Sequence, residues 1–396
     1  MMVLGYHYHV PVFKEQNTLW THGGQGLFLD SLAPYCEKIV CFLHSPGENE
    51  KALCNYPVQS PNIEWVDIAP HTSVPARLIR SYQITPLIKH WSKDFDVMLL
   101  RGPSPLLPYF ARHAPEVPKV LLLVASYTQG LDAIRQPFWR KSLIRLWAHW
   151  NEAEQLSVAR KALTFVNSHK LYEDLKPFVP QLVEIRTTTI RREDFFYRED
   201  TCQTPPYRLL FSGRISFEKG IYEVIDSLTL LKERGYDCLL EMVGAPESEE
   251  EVEKIFQYAR QKNVDSQVQY LGFKRAGQEL LQVYRHADLF ILASRDSEGF
   301  PRTIWEAFSQ GLPVVTSNVG SIPYYLQNEV HALIIPPKNP LEFTRAIERL
   351  LTSPSLRRQL IQNAYGLAEQ NTLEVRAKEM MEQIETWLKT NRSQAE

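Results

Sequence analysis

Short apolar segments alternate with amphipathic, helix-length segments along the first half of the chain. The apolar segments lie at residues 2–9, 39–44, 63–68, 96–100, 120–124, 163–166 and 182–185. They are bounded by turn-forming residues, which is typical of strands, and helical patterns lie between several of them. This alternation predicts βαβ units and a parallel sheet.

The same alternation starts again at Tyr207 and predicts a second α/β domain. Many charges and paired prolines before it indicate a linker, and the last segment has apolar residues at helical spacing. A chain of 396 residues is also too long for one typical core. We therefore expect a first domain at 1–195, a linker at 196–206, a second domain at 207–371, and a terminal helix and tail at 372–396.

Two acidic residues flank the start of a predicted helix in the second domain. Residues 288–293 form a predicted buried strand, Pro301 suits the first turn of the next helix, and Gly311 suits its end. Ligands of open parallel sheets collect at the carboxyl ends of strands, where a helix start favours phosphate. Glu298 is expected above this helix start, and Glu306 can accept hydrogen bonds from a vicinal diol. Alternatively, Glu306 only favours the helix dipole and Glu298 is a solvated loop acid.

A cationic turn follows the predicted strand at 207–212. Arg214 with its planar guanidinium and Lys219 as a point charge could both meet a diphosphate. Gly213 and Gly220 would permit tight backbone geometry there. The alternative is a surface turn with ordinary cations.

With these motifs the chain resembles retaining, nucleotide-sugar-dependent glycosyltransferases of family four, the glycosyl transferases group 1. The family pattern is matched in order over residues 207–352 by Gly213-Arg214 with Lys219-Gly220, Val243-Gly244, Leu271-Gly272-Phe273, Ala287-Asp288-Leu289-Phe290, the run from Glu298 to Glu306, and Gly311-Leu312-Pro313-Val314-Val315. The resemblance implies the α/β fold named GT-B, in which two Rossmann-like domains face each other across a cleft. It also implies that the terminal helix crosses back to the first domain.

The resemblance assigns roles to these residues. Arg214 and Lys219 are expected to neutralise the leaving diphosphate, Glu298 to orient the hexose, and these three are the expected catalytic residues. The leaving phosphate oxygen takes the acceptor proton on the same face, so that no protein nucleophile is required. The expected donor-binding residues are Gly23, Gly24, Gly213, Phe273, Lys274, Gly299, Phe300, Arg302, Thr303 and Glu306.

Two loops of the first domain are also expected near the donor. A glycine-rich stretch with Gly23 and Gly24 precedes a predicted helix at 27–32, and the alternative is a plain helix-starting loop. Many family members carry a sugar-contacting histidine after the strand at 120–124, but this chain departs from that pattern. Here Ser126 can offer a hydroxyl and Tyr127 a stacking face to the hexose.

Composition and charge narrow the possible partners. The formal net charge of -2 provides no global attraction to nucleic acid, so none is expected. Five scattered cysteines without a Cys-x-x-Cys pair suit the reduced thiols of a cytoplasmic protein. We expect no secretory leader, and no apolar run approaches the roughly 20 residues that span a bilayer. No metal and no cofactor are expected besides the nucleotide sugar as co-substrate.

A basic, tryptophan-bearing helix is predicted within residues 137–160. Such a helix can lie at an anionic membrane surface and bring the protein to a lipid-linked acceptor at the inner membrane face. The alternative is a core-facing helix with a solvated basic face.

The sequence thus predicts a retaining, metal-independent hexosyltransferase that uses a nucleoside-diphosphate sugar. Its acceptor would be a hydroxyl of a sugar, glycan or lipid-linked molecule, as in glycan, polysaccharide or glycolipid synthesis. Two alternatives remain, a nucleotide-sugar epimerase and a non-catalytic protein of the same fold that binds sugar nucleotides.

Overall fold

The computed structural model describes residues 1–47, 50–128, 131, 137–296 and 299–395. The chain divides into two compact units. Unit 1 comprises Met1–Arg186 with Glu374–Glu396, and unit 2 comprises Thr187–Leu373.

Unit 1 contains a seven-stranded parallel sheet and a small three-stranded sheet among its described residues. The strands are β1 Met2–His7, β2 Val12–Glu15, β3 Thr18–Thr21, β4 Cys36–Ser45, β5 Tyr56–Pro57, β6 Ile63–Pro70, β7 Val97–Gly102, β8 Lys119–Leu123, β9 Leu163–Val166 and β10 Leu182–Glu184. The large sheet has the order β10-β9-β8-β7-β1-β4-β6, and the small sheet has the order β2-β3-β5. The helices are α1 Gly23–Leu32, α2 Val74–Arg80, α3 Thr85–Trp91, α4 Leu107–His113, α5 Phe138–Ala159 and α6 His169–Leu175.

The apolar strands of unit 1 are buried on both faces, as parallel sheets require. Along β7, Leu99 belongs to the core on one side of the sheet, whereas Met98 and Leu100 belong to the core on the other side. All three are fully buried. This explains why the strands have continuous apolar sequences without polar alternation.

Unit 2 contains a six-stranded parallel sheet of the order β13-β12-β11-β14-β15-β16. Its strands are β11 Tyr207–Ser212, β12 Cys238–Val243, β13 Val268–Tyr270, β14 Leu289–Leu292, β15 Val314–Ser317 and β16 Leu333–Ile335. Its helices are α7 Ile221–Glu233, α8 Glu249–Gln261, α9 Gln278–His286, α10 Arg302–Ser309, α11 Ile322–Tyr325, α12 Pro340–Thr352 and α13 Pro354–Glu369. The chain runs outward from β11 in both directions, so the sheet has a switch point between β11 and β14, where ligands bind in such folds.

The last helix, α14 at Leu373–Ala395, returns to unit 1, as the resemblance implied. Ala377, Met380, Met381, Ile384 and Leu388 are buried in the same core cluster as strands β1, β4 and β7. Apolar residues at helical spacing therefore hold the end of the chain on the first sheet.

The boundary between the units lies at Arg186, which is earlier than the boundary expected at residue 195. The stretch expected to be a linker packs on unit 2. The Phe196 backbone N–H donates to the Ser309 carbonyl at 2.8 Å, and the Arg198 guanidinium donates to the carbonyls of Ala287 and Gln310 at 2.9 and 3.1 Å. These backbone contacts join residues 187–206 to the second unit, although their polar composition is typical of a linker.

Within the described residues, none of the helices has the length and apolar character needed to cross a membrane.

Candidate functional site

Three neighbouring strands of unit 2 end next to glycines. β11, β12 and β13 are followed by Gly213, Gly244 and Gly272, and parallel pairing of Ser212 with Val243 sets the first two side by side. Gly213 has a φ of 151° and Gly244 a φ of 139°, and a Cβ on Gly244 would lie 1.8 Å from the Gly213 carbonyl oxygen. Only glycine permits this approach of two backbones. The strand ends thus form a low floor at the carboxyl edge of the sheet.

A pocket of about 480 Å³ lies above this floor, within unit 2. Its volume is in the range of small-molecule sites. The predicted site residues that line it are Gly213, Arg214, Phe273, Lys274, Thr303 and Glu306. Residues that were not predicted to belong to the site also line it, namely Ser212, Val243, Gly244, Ala245, Pro246, Glu247 and Leu280. The structure therefore brings Arg214 of the basic turn, Glu306 of helix α10 and the Phe273 ring to one pocket.

The cationic turn lies at the edge of this pocket. Arg214 is exposed and has no acidic partner among the residues that the structure describes. Lys219 is half-buried at the end of a short helical turn at Phe217–Lys219 and does not line the pocket. Gly220 has a φ of 72°, and a Cβ there would lie 1.9 Å from the Ala293 carbonyl oxygen. Gly220 therefore lets this turn pack against the end of β14.

Arg295 holds the cationic turn from the β14 side, and no motif in the sequence pointed to this residue. Its backbone N–H donates to the Glu218 carbonyl at 2.9 Å, and its guanidinium pairs with the Glu223 carboxylate on α7 at 2.5 Å. The same guanidinium lies 4.2 Å from the centre of the Phe217 ring. The turn that carries Arg214 is thus held by a partly buried ion pair and a cation–π contact.

Glu306 is a half-buried carboxylate that protein donors hold at the pocket. Its Oε1 accepts from the Thr189 hydroxyl at 3.0 Å and its Oε2 from the Tyr284 hydroxyl at 2.7 Å. Burial is the largest effect and raises the pKa of Glu306, while the Tyr284 hydrogen bond opposes that rise. A carboxylate has about four acceptor positions, so about two are left for a ligand. This carboxylate can therefore accept a pair of hydroxyl hydrogen bonds from a diol.

Helix α10 begins after Pro301, as predicted, and Gly311 follows its end with a φ of 63°. Thr303 lines the pocket and Arg302 is exposed. Phe300 is buried instead, with its ring centre 4.5 Å from that of Trp305. Its side chain therefore belongs to the core of unit 2.

The loop before α10 contains two further predicted residues. Gly299 is exposed, and a Cβ placed on it would meet nothing within 4 Å. Glu298 lies outside the described residues.

Two further predicted residues, Phe273 and Lys274, follow strand β13. The Phe273 ring is exposed at the pocket, and the Lys274 Nζ lies 3.5 Å from the Glu279 Oε1.

The predicted contacts of unit 1 lie on two of its own elements. Helix α1 starts at Gly23, so that both Gly23 and Gly24 are in its first turn; the helix expected at 27–32 was placed too late. The Gly23 N–H donates to the Asn55 side-chain oxygen at 3.1 Å, which satisfies one of the free donors of the helix start. A Cβ on Gly26 would lie 2.2 Å from the Tyr56 ring, so this glycine is explained by packing.

Ser126 and Tyr127 are both engaged with neighbours in unit 1. The Ser126 hydroxyl donates to the Glu152 carboxylate on α5 and lies 2.6 Å from the Thr128 hydroxyl. The Tyr127 ring meets the Trp147 ring edge-on with centres 5.0 Å apart, and burial raises the pKa of the Tyr127 phenol. Any sugar contact by these residues would have to share their present hydrogen bonds and ring contacts.

The described residues contain no cluster of three or more His, Cys, Asp or Glu side chains that could hold a metal ion. The side chains that line the unit 2 pocket include the Arg214 guanidinium, the Lys274 ammonium, the Glu247 and Glu306 carboxylates and the Phe273 ring.

Solved structures of similar fold cover nearly the whole chain. The structure of HepE from Anabaena in complex with UDP and glucose has a TM-score of 0.72 at 15% identity and covers 98% of this chain and 100% of its own. Sucrose-phosphate synthase from Thermosynechococcus elongatus has a TM-score of 0.72 at 16% identity with the same coverage. The fold is GT-B, with two Rossmann-like units, as the resemblance predicted.

Residues 195–367 match the family described as glycosyl transferases group 1. An uncharacterized glycosyltransferase of Methanocaldococcus jannaschii is 30% identical over 169 residues, which are 43% of this chain and 42% of that protein. The alpha-D-kanosaminyltransferase of Streptomyces kanamyceticus is 27% identical over 159 residues, 40% of each chain. The match spans about two fifths of these relatives, and it confirms the resemblance found in the motifs.

Proposed function

We propose that this protein is a retaining glycosyltransferase that moves a hexosyl group from a nucleoside-diphosphate sugar to a hydroxyl acceptor. The observation that carries the proposal is one unit 2 pocket lined by both Arg214 and Glu306 at the carboxyl ends of parallel strands. The family match at 195–367 and the likeness to a fold neighbour solved with UDP and glucose support it.

The nucleoside occupies the pocket between Phe273 and Glu306. The exposed Phe273 ring offers a stacking face to the base, and Lys274 lies beside it at the rim. The Glu306 carboxylate, positioned by Thr189 and Tyr284, accepts hydrogen bonds from the ribose diol. Both oxygens keep an acceptor position for this purpose, so the ribose can bind without displacing a protein donor.

Departure of the diphosphate is the difficult chemical step, because negative charge develops on its bridging oxygen. Arg214 and Lys219 supply fixed positive charge, and the amides at the start of α10 near Phe300, Arg302 and Thr303 add donors. In this proposal the leaving phosphate oxygen takes the proton of the acceptor hydroxyl on the same face, which gives retention without a protein nucleophile and without a metal ion. Glu298 orients the hexose hydroxyls.

The resemblance adds Gly23, Gly24, Ser126 and Tyr127 of unit 1 to the donor contacts, and Gly213 and Gly299 to the backbone that approaches the diphosphate. These roles remain predictions. The protein is proposed to act in the cytoplasm on a sugar, glycan or lipid-linked acceptor in glycan, polysaccharide or glycolipid synthesis.

The first test is a thermal-shift panel of UDP-, GDP- and ADP-sugars, followed by product analysis with and without an added acceptor. A ligand at a hundred times its dissociation constant adds about 2.7 kcal/mol to the stability of the fold that binds it. The donor that the protein uses should therefore give the largest rise in Tm. Transfer or slow hydrolysis of that donor supports the proposal. Release of an epimerised sugar without acceptor identifies an epimerase, and binding with no turnover identifies a non-catalytic protein.

With the donor known, Arg214→Ala should lower kcat about a hundredfold, since losing one preorganised donor to a developing oxyanion costs on the order of 3 kcal/mol. Arg260→Ala is the matched control, because Arg260 is an exposed cation of α8 that does not line the pocket. Near-native turnover of Arg214→Ala would contradict the assigned role.

A further inference from the structure

The first half of helix α5 turns its largest apolar side chains toward solvent. Trp139, Leu143, Leu146 and Trp150 fall within an arc of about 60° when successive residues are about 100° apart. With Phe138 at the helix start they form what we name the α5 apolar stripe, and each is between 52% and 86% exposed. Contiguous exposed apolar surface of this kind marks an interaction site in soluble proteins.

The orientation of the helix is fixed by polar contacts on its inner side. Asn151 and Gln155 are buried there, and the Gln155 amide donates to the Asn151 side-chain oxygen at 2.5 Å. Glu152 accepts from Ser126, and Glu154 pairs with Arg112 at 2.8 Å. Rotating the stripe inward would break these contacts and expose Asn151 and Gln155. The large apolar residues are therefore held outside by the rest of unit 1.

The same stretch of helix is positively charged. Residues 138–150 contain Arg140, Lys141 and Arg145 and no Asp or Glu. Arg140 is exposed beside the stripe, whereas Lys141 and Arg145 lie at half-buried positions on the far side of the helix. Tryptophan and long cationic side chains are the residues that occupy the boundary between lipid headgroups and acyl chains. The exposed tryptophans together with Arg140 are thus complementary to an anionic lipid surface.

A second copy of the chain fits this surface less well. A two-fold dimer through the stripe would bring the Arg140 side chains of both copies to the same interface. Like charges that face each other across an interface cost energy, whereas anionic headgroups neutralise them.

We propose that the α5 apolar stripe docks the protein peripherally on anionic lipid. The helix lies in the plane of the interface, with Trp139, Leu143, Leu146 and Trp150 toward the acyl chains and Arg140 at the level of the headgroups. This docking does not depend on the proposed transfer reaction. If that reaction holds, docking would place unit 1 at a surface where lipid-linked acceptors are found.

The test is flotation of the full chain with vesicles of phosphatidylcholine alone and of phosphatidylcholine mixed with phosphatidylglycerol. The wild type should float with the mixed vesicles and less with the neutral ones, and added salt should weaken the binding. Trp139→Ser combined with Leu146→Ser should lower partitioning into vesicles at least tenfold. Each buried CH₂ contributes about 0.8 kcal/mol, so the loss of two CH₂ groups would already give this factor. Arg140→Glu changes the charge by two units. Because each unit changes membrane partitioning about fivefold, partitioning of this variant should fall about 25-fold.

Two control variants match these changes outside the stripe. Phe178→Ser removes an exposed aromatic ring elsewhere in unit 1, and Lys161→Glu reverses an exposed charge just beyond the end of α5. Both should float like the wild type. The donor-induced thermal shift should be the same in all variants, which shows that they fold and separates a failure of docking from a failure of the proposed activity.

Equal recovery with both kinds of vesicle, or stripe variants that float as well as the wild type, would overturn the proposal. Light scattering gives a further contradicting outcome. If the wild type is a dimer, the Trp139→Ser, Leu146→Ser variant is a monomer and neither protein binds vesicles, then a second copy of the chain covers the stripe.

Discussion

The two units have the same parallel-sheet architecture but differ at the carboxyl ends of neighbouring strands, where glycines follow three strands of unit 2 and histidines lie at the ends of two strands of unit 1. In unit 2 the strands end at Gly213, Gly244 and Gly272, and a pocket of about 480 Å³ lies above them. In unit 1 the corresponding edge carries His7 as the last residue of β1 and His44 as the next-to-last residue of β4. An edge of glycines leaves room and backbone donors for a ligand, whereas an edge of imidazoles is filled by its own side chains.

His7 and His44 are buried neutral groups, and the Nδ1 atom of each has a backbone carbonyl partner. His7 Nδ1 lies 2.9 Å from the Phe42 carbonyl oxygen and Nε2 lies 2.8 Å from the Ser104 hydroxyl. His44 Nδ1 lies 2.9 Å from the Ala69 carbonyl oxygen. Because a carbonyl only accepts, Nδ1 carries the proton in both rings. Burial lowers the pKa of His7 to about 3 and that of His44 to about 4.

The largest effect is expected where the glycine edge is filled. Gly244→Ala would place a methyl group on the Gly213 carbonyl, so we expect loss of the donor-induced thermal shift and destabilisation of more than about 3 kcal/mol. Gly272→Ala is the control, because its φ of 73° is also positive but nothing lies within 4 Å of the new Cβ. Gly272→Ala should lower the free energy of unfolding by only about 1–2 kcal/mol, which is the cost of a left-handed backbone conformation for a residue with a side chain. Urea unfolding and thermal shift measure both, and equal effects would refute the close-approach explanation.

The next largest effect concerns the carboxylate of the pocket. Glu306→Gln replaces one acceptor oxygen by an N–H₂ donor, and a hydrogen bond to a charged group contributes about 1.5–3 kcal/mol. Nucleotide affinity should fall tenfold or more in calorimetry. Glu253→Gln on the exposed side of α8 is the control and should bind normally. Unchanged affinity of Glu306→Gln would remove its ribose assignment.

The histidine edge makes the stability of unit 1 depend on pH. The folded-state pKa values of His7 and His44 lie below the unfolded value, so the unfolded chain binds more protons between them. Stability is therefore full above about pH 6.5 and is lost as the pH falls toward 4, by about 1–2 kcal/mol per imidazole between pH 7 and pH 5.

His44→Asn tests this dependence, since its amide can still donate to the Ala69 carbonyl but does not titrate. In urea unfolding, the difference between pH 7 and pH 5 should shrink by about 1–2 kcal/mol relative to the wild type. A difference as large as that of the wild type would mean that His44 is not held neutral by burial.

The smallest effect is expected at a residue that only positions Glu306. Thr189→Val removes the hydroxyl that donates to Oε1 and keeps the shape, so affinity for the nucleotide should fall about fivefold, corresponding to about 1 kcal/mol. Calorimetry on Thr189→Ser, which retains the hydroxyl, should give near-native affinity. If Val and Ser behave alike, the hydrogen bond has no part in binding.

The features that follow from local pattern were predictable. Strands β11 and β14, the helix after Pro301, and the joint placement of Arg214 and Glu306 in one pocket all follow from apolar runs, turn residues and the rule for parallel strand ends. Thr189 is separated from Glu306 by 117 positions and Tyr284 sits in an apolar helix pattern, so nothing local connects them to the site.

Two other differences, and the choice between the two interpretations of helix α5, also have tertiary causes. Helix α1 starts earlier than its glycines suggested, because Asn55 accepts the first N–H and Tyr56 requires Gly26. The polar stretch before Tyr207 packs on unit 2 through Arg198, which donates to several carbonyls. The apolar face of α5 points outward, because buried Asn151 and Gln155 occupy the inner side. Periodicity gives the spacing of side chains along an element but not the neighbour that each face meets.

The most direct measurement is a crystal structure of the chain with the nucleoside diphosphate selected by the thermal-shift panel. We predict the nucleotide in the unit 2 pocket, with both ribose hydroxyls within hydrogen-bond distance of the Glu306 carboxylate and the diphosphate against the Arg214 guanidinium. A nucleotide bound elsewhere, or a ribose that makes no contact with Glu306, would contradict the proposed site.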